Sequence, residues 1–256
     1  MYQVSNTNAT QKVCRVLKAL SNPEPMRLSD IAESADLSKA TSLRLLETLI
    51  QEGFVQRDKV NKRYMLGDEA LLLGMAMQDR EHIRNRTRAS MIRLAAITGD
   101  TIVLSTRHGV ESVCVDREFG SYPIRANLLE VGSRRPLGVG AGSMALMAWL
   151  PNDEIETILQ INKTAIAKRF STLTPTRLRQ EAKLARTRGY ALVLDVIVDQ
   201  MGGVGVPLFG YDGEPIAALS VVALSQRISS RLPILIQALQ QEAAELSKIV
   251  MHKEAA

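Results

Sequence analysis

Residues 28–55 confine the chain more tightly than any other stretch, because LSDIAESADLSKATSLRLLETLIQEGFV holds two short helical periods separated by a two-residue break. Ser29 is placed to cap a first helix running to Ala35. Asp36-Leu37 makes the turn, and Ser38 caps a second helix that closes at Gly53. That is the punctuation of a helix-turn-helix. At about 100° per residue, Leu43, Leu45, Leu46, Leu49 and Ile50 fall on one side of the second helix. Ala40, Thr41, Arg44, Glu47 and Thr48 fall on the other. One side is built to pack and the other is free to read. An ordinary amphipathic surface helix shares this pattern, so the flanking segments decide between the two.

Upstream, Val13, Val16, Leu17 and Leu20 recur at helical spacing in residues 11–21, and Asn22-Pro23-Glu24-Pro25 stops that helix. Downstream, residues 54–66 alternate as two short strands turning at Val60-Asn61-Lys62. Three helices followed by a hairpin predict a winged helix. Its wing carries Lys59 and Lys62 at the tip and Arg57 and Arg63 on the flanking strands, where they can meet phosphates or enter a minor groove. On the second helix, Arg44 offers a fork for guanine edges, Ala40, Thr41 and Thr48 admit close approach, and Lys39 lies near phosphate. These nine residues are the candidate contacts to double-stranded DNA.

The net charge of +5 and isoelectric point near 9.3 agree with a polyanionic partner. For a second cluster, Arg80, Arg84, Arg86 and Arg88, a solvated basic face explains the residues as well. A chain of 256 residues that is 46% hydrophobic and 23% charged fits a two-domain soluble protein, with disorder expected only at the ends, chiefly residues 1–10. There is no apolar run of membrane-spanning length and no signal-peptide pattern, so no membrane partner and a cytoplasmic location are expected. Cys14 and Cys114 stand far apart, away from any His or Cys at ligand spacing, and read as two buried thiols. No metal or other cofactor is expected.

From Asp68 to about Asp79, Leu71, Leu72, Leu73, Met75, Ala76 and Met77 point almost all round a helix. Such a helix needs more than one apolar surface. A dimer-forming linker supplies it, and so would burial inside a single domain. Symmetric half-sites independently favour a homodimer or a dimer of dimers. After a further helix from Glu81 to Thr98, strand-like segments follow at residues 101–106, 110–115, 124–128, 190–194, 204–209 and 216–222. Helices are expected at 144–150, at 153–160, from Thr174-Pro175 to Arg188, and from about Leu232 to Lys253. Tyr211-Asp212-Gly213 is a hairpin signal. The resulting class is α+β: a DNA-binding domain over 1–66, a helical linker over 67–88 and a second domain over 89–256.

Nearly the whole chain resembles the IclR-type bacterial transcriptional regulators. The resemblance is carried by Leu28-Ser-Asp-Ile-Ala, residues 37–49, Gly53-Phe-Val, Arg63-Tyr-Met-Leu-Gly67, Gly132-Ser-Arg-Arg-Pro-Leu137, Gly189-Tyr-Ala191 and Ala217-Ala-Leu-Ser220. It implies a winged helix-turn-helix, a linker helix and a C-terminal GAF/PAS-like effector-binding domain, with no catalysis. It also implies an effector site lined by Val139, Gly140, Ala141 and Gly142, with Asp195, Gly203 and Ser220 nearby. Backbone N–H groups in residues 138–143 could hold a carboxylate. The sequence departs from the family here: Gly138 replaces the usual His, Ser143-Met144 the usual Gly-Lys, Gly203 a Cys, and Val222 a Ser. A positive charge is therefore missing from the pattern.

More glycine and fewer polar anchors suggest a roomy pocket for an aromatic or otherwise bulky carboxylate. Alternatively, the glycines serve turns and backbone packing. Two other function classes compete with the regulator. An enzyme lacks support, since no nucleophile–base pair, metal spacing or phosphate loop is present and His82, His108 and His252 are not placed as catalytic bases. A sensor or adaptor without DNA binding is opposed by the basic wing and the Lys39, Thr41 and Arg44 face.

Overall fold

The computed structural model describes residues 8–21, 24–76, 83–125 and 129–253. Contacts divide the chain into two compact units, Met1–His82 and Ile83–Ala256, a division that falls within the 67–88 segment.

In the first unit, α1 (Ala9–Ala19) opens on a reciprocal cap. Asn8 Oδ1 accepts from the Gln11 N–H at 2.8 Å, and Gln11 Oε1 accepts from the Asn8 N–H at 3.0 Å. Ala9 and Thr10 are therefore helical, although polarity alone assigned them to a disordered end. Cys14 stands exposed on this helix rather than buried; its neighbours Val16 and Leu20 take the core-facing positions.

α2 (Leu28–Ser34) starts one residue before the expected cap. Arg27 occupies the N-cap without a side-chain bond, while the Ser29 hydroxyl donates to Asp30 Oδ1 at 3.0 Å. Asp36 makes the turn with φ +54°. Ser38 caps α3 (Lys39–Gln51) by accepting from the Thr41 N–H at 3.2 Å.

The buried stripe of α3 is Ser42, Leu46 and Leu49, with Leu43 and Leu45 half-buried. Ile50, expected to pack, is 37% exposed. An i, i+4, i+7 stripe is narrow, and Ile50 lies about 100° round the helix from Leu49. Leu46 sits in a core with Val16, Leu20, Ile31, Ala35, Val55 and Tyr64. Truncating such a residue typically costs about 2–5 kcal/mol.

The wing is β1 (Val55–Arg57) paired antiparallel with β2 (Tyr64–Leu66). Met26 and Tyr64 exchange backbone hydrogen bonds at 2.9 and 2.8 Å, which ties the wing to the chain entering α2. The helix that follows, α4 (Asp68–Ala76), leaves Leu71, Leu72, Leu73 and Met75 exposed within its unit. The remainder of that expected helix lies outside the described residues.

The second unit is a six-stranded antiparallel sheet with helices on both faces. Its strands are β3 (Thr101–His108), β4 (Glu111–Glu118), β5 (Arg134–Pro136), β6 (Ala191–Leu194), β7 (Met201–Phe209) and β8 (Pro215–Leu224), in the order β5-β4-β3-β8-β7-β6. Period-two alternation separates two cores. Ile102, Leu104, Val204, Val206, Leu219 and Val221 meet α5 (Ile83–Thr98) and α10 (Leu232–Lys253). The opposite face is covered by α6 (Ala141–Met147), α7 (Asn152–Arg169) and α8 (Pro175–Arg188).

Thr174 caps α8 by accepting from the Arg177 N–H at 3.1 Å, and Gly189 ends it at φ +79°. The strand expected at 124–128 is absent at Ile124 and Arg125, and Ala126 to Leu128 lie outside the described residues. A short edge strand, β5, pairs with β4 instead. Sequence reading also missed α9 (Ser225–Ser230). Its Arg227, with Arg231 just beyond, clasps the buried Asp100 carboxylate at 2.6 and 3.0 Å.

Candidate nucleic-acid interface and ligand cavity

Lys39, Ala40, Arg44 and Thr48 are exposed on α3, and Thr41 is half-buried. Their side chains are not equally available. The Ser38 hydroxyl donates to Thr41 Oγ1 at 2.9 Å, and the Thr48 hydroxyl donates to the Arg44 carbonyl at 3.2 Å. These bonds orient two small groups beside Arg44 without engaging its guanidinium.

The wing turn is organised by Asp58. Its carboxylate accepts from the Val60 N–H at 2.7 Å, the Asn61 N–H at 3.0 Å and the Asn61 side-chain amide at 3.0 Å. These bonds hold its pKa below the usual carboxylate value, the backbone donors of Asn61 and Val60 contributing most. Asn61 Oδ1 in turn accepts from the Arg63 N–H at 2.9 Å, and Lys62 takes the left-handed conformation at φ +59°.

The four wing cations serve different ends. Lys59 and Lys62 are exposed. Arg57 donates to the Lys62 carbonyl at 3.3 Å and lies over the Tyr64 ring at 5.1 Å. Arg63 precedes β2 rather than lying in it, and donates to the Pro25 carbonyl at 3.1 Å. Arg57 and Arg63 therefore brace the wing from within its own unit.

The second arginine cluster is largely structural. Arg84 and Arg88 of α5 approach the buried Asp116 at 3.4 and 3.6 Å, and Arg88 also pairs with Glu118. Arg80 lies outside the described residues.

In the second unit, a cavity of about 690 Å³, open solvent included, lies between α6 and the adjacent sheet face. Val139, Gly140, Ala141, Gly142, Gly203 and Ser220 all line it. Asp195 does not: at φ +55°, it accepts a hydrogen bond from the Ser225 hydroxyl at 2.6 Å and holds α9. The walls are mainly apolar, with Val103, Val193, Ile197, Val198, Met201 and Val222, and carry serine hydroxyls from Ser105, Ser112, Ser133 and Ser143.

The glycines are set by backbone approach. Gly138 and Gly140 have φ of +94° and +99°. A Cβ on Gly142 would meet Ser220 Oγ at 3.1 Å and Ser105 Oγ at 3.3 Å; one on Gly205 would meet the Ala141 carbonyl oxygen at 2.9 Å. At Gly142 and Gly205 the missing Cβ lets α6 approach the sheet closely, and Gly140, Gly142 and Gly203 also line the cavity.

Among the described residues lining the cavity, Arg135 is the charged one. In the β4–β5 register it stands opposite Ser112, whose alternation also brings Cys114 to the cavity. The Arg135 guanidinium reaches within 3.3 Å of the position a Gly140 Cβ would take. Burial, then repulsion from Arg169, lowers its pKa to about 10, leaving it charged at neutral pH. Burial raises the Cys114 thiol to about 11, which makes it a poor nucleophile. Among the described residues, no group of His, Cys, Asp and Glu is placed to hold a metal.

Residues 75–248 match the C-terminal domain of the bacterial transcriptional regulator IclR, and residues 9–59 match the IclR helix-turn-helix domain. The chain belongs to the IclR family. It is a DNA-binding transcriptional regulator with an N-terminal helix-turn-helix and a C-terminal α+β domain. Among its relatives, the glycerol operon regulatory protein of Streptomyces coelicolor is 29% identical over 87% of each chain. An IclR transcriptional regulator from Alicyclobacillus acidocaldarius has a TM-score of 0.76 at 25% identity, covering 96% of this chain and 99% of that one. An IclR homologue from Microbacterium hydrocarbonoxydans, complexed with 4-hydroxybenzoate, has a TM-score of 0.73 at 22% identity, covering 95% and 99%. Among the described residues, no helix is long and apolar enough to cross a membrane.

Proposed function

We propose that this IclR-family regulator reads duplex DNA through Lys39, Ala40, Thr41, Arg44 and Thr48 of α3 and through the wing. Arg44 is the base-reading fork; Lys59 and Lys62 meet phosphates; Arg57 and Arg63 support the wing. The observation that carries this reading is the juxtaposition, within one unit, of an exposed Arg44 face and a carboxylate-ordered basic turn.

The cavity beneath α6 is the effector site, and the effector is a small carboxylate or aromatic metabolite. Support comes from the apolar walls and serine hydroxyls, and from the Microbacterium relative complexed with 4-hydroxybenzoate. The protein acts as a cytoplasmic homodimer and not as an enzyme. The exposed Leu71, Leu72, Leu73 and Met75 of α4 provide an apolar surface for a second copy, and two recognition helices match a two-fold operator.

A duplex selected from a random pool tests this reading. Its binding falls steeply as salt rises and changes when effector is added. Binding that is insensitive to salt would count against phosphate contacts.

A further inference from the structure

We propose that a second cavity, between α8 and the open edge of β6, binds a free α-amino acid with an aliphatic side chain. The site is separate from the cavity beneath α6 and does not depend on reading that one as the effector site. It measures about 670 Å³, open solvent included, and the two share Gly140 and Val193 of their linings. Its floor is apolar, with Met144, Leu173 and Leu178 buried and Val196 half-buried. Its charged lining, Arg177, Glu181 and Arg188, comes from α8. At about 100° per residue these three fall within roughly 40° of one another, on one face of the helix.

Other arginines fix α8 in place. Arg179 pairs with Glu156 of α7, and Arg186 donates to the Ala148 and Leu150 carbonyls at the end of α6. Arg177 and Glu181 are left half-buried at the cavity. Arg177 gives one donor to the Thr172 carbonyl at 3.3 Å, and Glu181 makes no hydrogen bond or ion pair with another described residue. Arginine ahead of glutamate is the weaker orientation for a pair one turn apart. A cation and an anion so placed, about 6 Å apart along the axis, match the carboxylate and ammonium of one α-amino acid. A simple acid would meet Glu181 as a like charge, and a simple amine would meet Arg177. Arg188 is exposed about 10 Å farther along the helix and takes no part.

The sheet edge supplies main-chain partners. β6 is the terminal strand and pairs with β7. The Asp195 N–H donates to the Met201 carbonyl at 3.0 Å, continuing the register that sets Val193 opposite Gly203 and Ala191 opposite Gly205. Alternate residues of an antiparallel ladder exchange such bonds, so Leu192 and Leu194 turn their N–H and C=O groups outward. Leu192 and Leu194 belong to one face of β6 and Val193 to the other, yet all three line the cavity, which therefore runs along the outer edge. α8 leads into β6 through Gly189-Tyr190. Glu181 and Leu194 each lie roughly 13 Å from that turn by ordinary helix and strand rises. The ammonium is placed between Glu181 and the outward Leu194 carbonyl, the carboxylate on Arg177, and the side chain on Leu173, Leu178 and Val196.

The test is calorimetric titration of the full-length protein with leucine, isoleucine, valine and methionine, and with the N-acetyl acid and the amide of each. At least one free amino acid should bind at millimolar concentration or below. Its N-acetyl form, lacking the ammonium, and its amide, lacking the carboxylate, should each bind roughly 10- to 100-fold more weakly. Glu181→Gln should weaken the free amino acid by a similar factor and abolish the discrimination against the N-acetyl form. Arg177→Gln should abolish the discrimination against the amide, and Arg177→Lys should keep part of it. Glu181 lines this cavity and not the one beneath α6, so its effect locates the ligand. Binding of none of the four at millimolar concentration, equal binding of the N-acetyl or amide forms, or unchanged binding in Glu181→Gln would each overturn the assignment. Should Arg177→Gln fail to fold through loss of its bond to Thr172, Glu181→Gln and the ligand series still decide. The titrations contain no DNA, so their failure leaves the regulator reading to the duplex experiment.

Discussion

Asn61 donates both its backbone N–H and its side-chain amide to Asp58, each at 3.0 Å, so that one carboxylate shapes the tip of the wing. Its depressed pKa has a definite sign. The ionised form is favoured by the folded turn, and its contribution is present above the unfolded value of 3.8 and lost as pH falls through the lower folded value. The Val60 and Asn61 amide resonances should therefore titrate with a midpoint below 3.8. A midpoint at or above that value would contradict the turn geometry.

Arg93 and Glu242 join α5 to α10 through two parallel bonds of 2.8 and 2.6 Å. Hydrogen bonding from Arg93 is the first cause of the lowered Glu242 pKa, so the pair stabilises above the ordinary glutamate range and is lost as pH falls through the depressed value. Arg93 is half exposed, which limits the gain. Glu242→Gln should cost about 1 kcal/mol at neutral pH by denaturant unfolding, and the difference should vanish in acid. A constant difference across pH would exclude the pair as its source.

Ser42 is fully buried on α3, and its hydroxyl has no hydrogen-bond partner among the described residues. Replacing it by alanine removes an unsatisfied polar atom and raises helix propensity. Ser42→Ala should stabilise the first unit by about 1 kcal/mol, seen as a higher thermal midpoint, without altering the exposed face. A lower midpoint would mean that the hydroxyl is satisfied in solution.

The sequence was most legible where a local rule had no tertiary competitor. Ser38 and Thr174-Pro175 open their helices as side-chain capping dictates, Gly189 closes α8 in the left-handed conformation, and the hairpin signal at 211–213 lies between β7 and β8. Ser29 failed as a cap because the chain becomes helical one residue earlier, at Leu28. Polarity misplaced the first helix start because Asn8 and Gln11 cap each other.

The cavity was legible in part. Motif position led to 139–142, 203 and 220, all of which line it. It also led to Asp195, whose carboxylate serves α9. Arg135 escaped because β5 contains only three residues and ends in proline, too short for alternation to reveal. Cross-strand pairing, not local pattern, turns it inward. Its alternation with Arg134 against Ser112 was the available signal, and reading it required knowing that the two strands pair.

The base-reading role of Arg44 is tested by measuring Arg44→Ala and Lys62→Ala against the selected duplex and against single-base variants of it. Arg44→Ala should lose about 1–3 kcal/mol and relax preference at one base position, while Lys62→Ala weakens all duplexes alike and lowers the salt dependence. Arg44→Ala that binds with unchanged affinity and unchanged base preference would contradict the assignment of the α3 face.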